Sequence, residues 1–354
     1  MLEVKRMDSD ALPGQSTGGQ VGFVYPHGRD MLRFVKSALA VTAIALLCIV
    51  PTDDTHAADK YAGEFLTHGV GARALGMGSA YVAVADGVTA GYWNPAGVAD
   101  AESRAVQFMH SETFGDVVNY DTGAYVHPLT EGAAVALTFV RLAVDDIPFT
   151  DFEEDEDRIY YDLARISWES DSESALFMTY GKRVSPDLRL GASLKLVRKS
   201  IGEYSCYGLG FDLGAKYDIG SGITLGANVQ DATTTYLAWD TKEKERIWPT
   251  AKIGLAWTRD IASLGGRVIA AADADVRFEK RWMADEYHIG DVTADTHYGL
   301  EFVYHDAVAV RAGLAMGELT AGAGIGFSGF VIDYAYGRHE YLDSSHRVSA
   351  SYAF

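Results

Sequence analysis

Past residue 187 the chain alternates apolar and polar side chains in segments that hold their phase from end to end. Leu188, Leu190, Ala192, Leu194 and Leu196 oppose Arg189, Gly191, Ser193 and Lys195. Tyr207, Leu209, Phe211, Leu213, Ala215 and Tyr217 oppose Gly208, Gly210, Asp212, Gly214 and Lys216. The same two-faced pattern returns at residues 223–229, 298–304, 330–337 and 347–354. Period two defines strands with one apolar and one polar face. The segments run about nine residues or more, beyond the five or six usual in soluble sheets and close to what a tilted membrane strand needs.

The connections decide between a sandwich and a barrel. Alternate ones are short: "PLTEG", "VSPD", "IGS", "DIASLG", "HDA" and "SG". The intervening set includes residues 143–173, 232–248 and 278–295, all long. Short turns on one rim and long loops on the other belong to an outer-membrane barrel, whereas a sandwich has no reason to sort its loops. The sequence therefore predicts an all-β transmembrane antiparallel β-barrel of about fourteen strands. They start near Arg104, Asn119, Gly132, Ser174, Leu188, Ser205, Gly222, Pro249, Gly266, Thr296, Val308, Leu319, Phe330 and His346. The segment "RIYYDLARISW" leaves a further hairpin open.

An even count lets the last strand close on the first and removes both edges. The final stretch "HRVSASYAF" points Val348, Ala350, Tyr352 and Phe354 outward. Tyr352 and Phe354 then close the barrel, and a terminal aromatic residue resembles the signal read by the outer-membrane barrel assembly machinery. Partners are accordingly outer-membrane lipid and that machinery. The polar faces put Arg189, Lys195, Asp212, Lys216, Asp333 and Arg347 in the lumen.

Before the strands, "MLRFVKSALAVTAIALLCIVPTDDTHAADK" carries Arg33 and Lys36, an apolar run over residues 38–50, and Thr55-His56-Ala57 as a cleavage site. This is a secretory signal peptide spanning 31–57, too short in its apolar run for a membrane-spanning helix. Residues 1–30 precede the inferred translation start at Met31. The mature chain is expected to begin near Ala58, with a periplasmic N-terminus, in the bacterial outer membrane. It keeps one cysteine, Cys206, so no intrachain disulfide can form. The net charge of -19 argues against a nucleic-acid partner.

Residues 58–103, between leader and barrel (104–354), are rich in Gly and Ala. "GVGARALGMG" lacks the Gly-Lys-Ser/Thr of a phosphate loop, and Asn94-Pro95-Ala96-Gly97 reads locally as a turn. The stretch closely resembles the PorV/PorQ branch of FadL-like outer-membrane proteins. The resemblance rests on Gly71 to Gly78 including Gly76, on Ala80 to Ala83, and on Tyr92, Trp93, Asn94, Pro95, Ala96 and Gly97. "LGASLKLV", "GFDLGAKY", "LGANVQD" and the tail add weaker matches. In FadL-like proteins such a segment is a hatch folded into the barrel. The resemblance thus implies that Asn94, Pro95 and Ala96 lie in the lumen or at its periplasmic mouth.

No catalytic constellation stands out, and no cofactor or metal is implied: His-Glu-x-x-His, Gly-x-Ser-x-Gly, a Cys pair and a P-loop are all missing from the sequence. Asp273, Asp275 and Arg277 share a face, and an ion pair to Arg277 is the simpler expectation than acid–base chemistry. The acidic residues Asp151, Glu153, Asp155 and Asp157 read as a solvated surface, with divalent-cation binding as the alternative. The resemblance implies a barrel that assists export or surface delivery of secreted proteins in a type IX-like system, with secretion-system proteins and cargo as partners. Trp282, Met283 and Tyr287 would offer it a docking loop. The alternatives are a FadL-like channel for small hydrophobic molecules and a structural barrel without transport.

Overall fold

The structure, a computed structural model, describes residues 62–113, 117–155, 158–278, 285–338 and 344–354, with the side chains of 113 and 150–165 set aside. The leader, its cleavage site, Trp282, Met283 and the carboxylates of residues 151–157 lie outside the described residues.

Strands in chain order are β1 (Ala105–Thr113), β2 (Val118–Thr130), β3 (Ala133–Asp155), β4 (Arg158–Arg183), β5 (Leu188–Ile201) and β6 (Tyr204–Gly220). They continue with β7 (Ile223–Gln230), β8 (Thr235–Trp239), β9 (Lys244–Ile247), β10 (Thr250–Ile261), β11 (Gly266–Arg277) and β12 (Tyr287–Ile289). The last are β13 (Val292–Tyr304), β14 (Val308–Ala315), β15 (Glu318–Phe327), β16 (Phe330–Gly337) and β17 (Ser345–Ala353). All pair antiparallel, and β17 pairs with β1 from Ala105↔Ala353 to Glu112↔His346. The result is a closed 14-strand barrel, with β8, β9 and β12 as short additions on the rim. The predicted fold class is borne out.

Alternation sets the faces. Along β6, Leu209, Phe211 and Leu213 are exposed while Asp212 and Lys216 are buried inside. An apolar exterior round a closed sheet is stable only against lipid, since closure satisfies every backbone group there. Aromatic rings gather where the barrel closes: Phe330 stacks on Tyr352 at 4.3 Å and Tyr352 on Phe354 at 5.8 Å. The Phe354 amide donates to Arg104 O at 2.8 Å, so the chain terminus is tied to the start of β1.

Three long connections differ from expectation. β3 and β4 run on as one extended hairpin, so β4 starts at Arg158 instead of near Ser174, and "RIYYDLARISW" prolongs a strand without adding a pair. Ile, Tyr and Trp favour extended backbone, and register shifts at Val144/Ile147, beside Asp146, and at Thr150/Phe152 absorb the twist. Residues 232–248 carry the hairpin β8–β9, which pairs with the upper part of β6 beyond the end of β7. Residues 278–295 hold β12, paired to β13.

The lumen is filled by residues 62–104. Short helical pieces at Ala72–Gly76 and Ala90–Trp93, with tight turns at Glu64–Thr67, Gly87–Thr89 and Pro95–Asp100, form a compact plug. Phe65, Val70, Met77, Tyr81, Trp93 and Val98 are all buried.

Candidate functional site

Three docking points fix the plug, from the short-turn rim upward. At the short-turn mouth, Asp100 is held by Arg189 at 2.6 Å, Lys216 at 3.1 Å and Arg183 at 3.1 Å. Lys216 also donates to Ala85 O at 2.6 Å, and Arg189 reaches Asp218 at 2.6 Å. Burial pushes the Asp100 carboxyl up, but the Lys216 and Arg189 charges outweigh it and hold it below the usual carboxylate value.

Asn94 lies just above, fully buried. Its side chain accepts from the Ala96 amide at 3.1 Å and donates to Val82 O at 2.9 Å and Ala215 O at 3.1 Å. One amide group thereby shapes the turn before Pro95, ties two plug segments together and fastens both to β6. The wall makes room: a Cβ on Gly191 or Gly214 would collide with Pro95 or Asn94. Tyr92 and Trp93 pack edge to face at 5.1 Å, and Trp93 Nε1 donates to Val70 O at 2.8 Å. Gly76 and Gly78 press on β15 and β14, and Gly78, at φ 62, leaves no space for a side chain beside the Leu314 backbone. Gly71 (φ 86) and Gly97 also face close neighbours.

The third point is on the opposite wall. Arg73 of the plug pairs with Glu301 at 2.8 Å and with Asp86 at 3.0 Å. Glu301 is shared with Arg311 at 2.6 Å, and Arg311 extends to Asp333 at 2.7 Å. A separate buried group joins Lys195 to Asp231 at 2.7 Å and to Asp212 at 3.3 Å.

The six lumen residues named from the sequence therefore fall in different places. Arg189 and Lys216 meet at the short-turn mouth, Lys195 and Asp212 pair on the wall, Asp333 joins Arg311, and Arg347 stands apart. Asp275 pairs with Lys252 at 2.6 Å, Asp273 accepts from the Val82 amide at 2.7 Å, and Arg277 bonds Asp295. The expected pairing of that acid pair with Arg277 is thus corrected: β10 takes Asp275 and β13 takes Arg277 across the sheet, and the plug backbone takes Asp273. Sequence reading missed Asp100, Arg73, Glu301, Arg311 and Asp231. The glycines on the inward faces were the available signal, because they record where another backbone must approach.

The expected mature start near Ala58 and its periplasmic placement lie outside the described residues, which begin at the other end of the lumen from β1. Lys199 donates to Ala62 O at 3.4 Å and Gly63 packs on Ile247, both at the long-loop end. From there the chain descends through the lumen to Asp100 and leaves at the short-turn rim into β1.

Above the plug, on its long-loop side, is a recess of about 390 Å³. Leu75 and His68 of the plug line it, with Met316, Thr320, Arg338 and Arg347 of β14–β17 and their connections.

No protein-family model and no curated protein sequence matches the chain. Solved structures do. The Pseudomonas putida toluene transporter TodX matches with a TM-score of 0.56 at 13% identity, over 80% of this chain and 98% of that one. A Pseudomonas aeruginosa FadL homologue gives 0.51 at 12% identity, over 80% and 98%. The CymD monoaromatic hydrocarbon channel gives 0.50 at 14% identity, over 81% and 98%. At such identities the likeness is one of fold. The chain has the FadL-type outer-membrane barrel fold, and the likeness does not separate the branches of that class.

Proposed function

We propose that the protein is an outer-membrane channel for small molecules with an apolar body, gated by the plug. The recess carries this reading. It lies on the long-loop side, has a volume in the range of ligand pockets, and has plug residues for its floor. Anything leaving it toward the short-turn mouth meets the plug, whose lower end is seated by Asn94 and Asp100. The fold shared with barrels described as a toluene transporter and a hydrocarbon channel supports the same reading. The test replaces Asn94 and Pro95 with Ala and follows uptake of toluene by cells that depend on this barrel. Uptake should change while the barrel stays folded, as judged by its heat-dependent gel mobility. Equal uptake in cells with the wild-type protein, the variant and no protein overturns it.

A second reading, export assistance of PorV/PorQ type, draws on the N-terminal motif and on β12. There Tyr287 and Ile289 stand 58% and 87% exposed on the long-loop rim, where a partner protein could cover them. Trimming residues 278–295 should then lower surface-attached cargo and leave toluene uptake unchanged. Unchanged cargo overturns this second reading.

A further inference from the structure

A sector of the lipid-facing wall, over β1 to β3, breaks the apolar rule. On β6, β10 and β13 the outward side chains at mid-height suit lipid: Leu209 and Phe211, Ile253 and Leu255, Tyr298 and Leu300. On β1, β2 and β3 the outward series runs into His110, Glu112, Asp121 and Arg141. His110 Nδ1 lies 2.7 Å from Asp121 and Nε2 lies 3.3 Å from Glu112, and all three side chains are about half exposed. Arg141 is exposed and donates to Ser172 at 3.3 Å. Ala105 starts β1 at the short-turn rim. At about 3.3 Å per residue and a tilt near 40°, His110 stands about 13 Å up the wall, half-way through an apolar band about 25 Å tall.

Acyl chains offer such groups neither hydrogen bonds nor counter-charge, so a polar face at this depth is stable when protein covers it. Headgroup phosphates fit it poorly, because two carboxylates repel them. Both signs of charge are present, and their placement is symmetric about β2. Register aligns His110 with Asp121, and Asp121 with Arg141. These lines climb toward the long-loop rim from β1 to β3: Ala105 ends its strand, while its partner Val126 and the next, Ala136, lie inside theirs. At a strand spacing of about 4.8 Å and the same tilt, two strands raise Arg141 about 6 Å above His110. Two residues along β1 raise Glu112 above His110 by about 5 Å. Glu112 and Arg141 therefore stand at one level, on either side of β2.

We propose that this face is the contact between two copies of the chain, related by a two-fold axis along the membrane normal in front of β2. Two copies inserted in the same direction can be paired only by an axis of that kind. The rotation keeps height and exchanges the flanks, so Glu112 of each copy meets Arg141 of the other. His110 keeps each Asp121 bonded within its own chain beside the axis. Below the charges Gly123 carries no side chain between Phe108 and Phe139, its register neighbours, so the two walls can approach closely there. Apolar burial gives no drive between proteins in lipid, and the exchanged ion pairs supply the specificity. The inference is independent of what the barrel transports.

The test is sedimentation equilibrium of the purified full barrel in detergent, paired with disulfide trapping in whole outer membranes. Wild type should be dimeric. Glu112→Arg and Arg141→Glu should each weaken association at least tenfold. The double variant carrying both should recover it, because the charges are exchanged and the pair is rebuilt across the axis. Gly123→Cys, on the axis, should be trapped as a species of twice the mass, and either single charge reversal should abolish that trapping. Heat-dependent gel mobility of each variant shows that the barrel is intact. Wild type that is monomeric in detergent and untrapped in membranes overturns the proposal. A dimer indifferent to the single reversals, not restored by the double one, or not trapped through position 123 uses another face and overturns it as well. Trapping of Gly123→Cys to a different outer-membrane protein overturns it in favour of an unlike partner.

Discussion

The two ends of the plug are built on opposite electrostatic rules. At the short-turn mouth the charges that meet the plug are matched: Asp100 meets Lys216, Arg189 and Arg183, and Arg189 also meets Asp218. At the long-loop end Ser111 Oγ, the Tyr120 hydroxyl and His68 Nδ1 are buried without hydrogen-bond partners among the described residues. Matched charges hold two surfaces together, whereas unpaired buried groups contribute nothing to docking. The floor of the lumen is therefore a fastening, and its upper chamber is not built as one. Substitutions of similar chemistry should have opposite consequences at the two ends.

The largest expected effect is at the floor. Lys216→Leu removes a cation from Asp100 and from Ala85 O together. It should cost about 3 kcal/mol, the low end for breaking a buried pair, since Arg189 still holds Asp100. Heat-dependent gel mobility and protease cleavage within residues 62–104 measure it. A variant as resistant as wild type would mean that the floor is no fastening.

Asn94→Ala comes next. It removes three hydrogen bonds at once and leaves Val82 O, Ala215 O and the Ala96 amide buried without that partner. About 2 kcal/mol of plug docking should be lost, with the strands intact. Protease sensitivity confined to the plug is the expected reading; collapse of the whole barrel would show that plug and wall fold as one unit.

Much of the wall was legible in the sequence, because alternation and turn length are local. Leu209, Phe211 and Leu213 declare their face within a few residues. The extended β3–β4 hairpin was not, since Asp145-Asp146 and the acidic run look like loop while the backbone accommodates them as irregularities in a strand. The site was least legible. Asp100 and Lys216 are 116 residues apart, and Arg73 and Glu301 are 228 apart. No local pattern carries such pairings; the motif resemblance suggested a hatch without saying which wall residues receive it. Glycines such as Gly191 and Gly214 carry that information, because a Cβ at either would collide with Pro95 or Asn94.

Acid sharpens the comparison further. The folded value of Asp100 lies below its ordinary value of about 3.9, so the docking it supplies is fully present above that value. It is lost as pH falls through the lower folded value. Protease release of the plug should therefore begin only below about pH 4. Asp100→Asn should release the plug more readily at neutral pH and abolish Asp100's part of the acid step. A wild-type transition centred near pH 6 would point to a different group.

The smallest change in stability is expected at the upper chamber, where it is most telling. Tyr120 is buried and its hydroxyl has no partner, so Tyr120→Phe removes an unpaid polar burial and keeps the ring that His68 stacks on. Stability should stay within about 0.5 kcal/mol of wild type or rise. Loss of stability, read as earlier protease release of the plug, would mean that the hydroxyl has a structural partner and that the upper chamber is fastened like the floor.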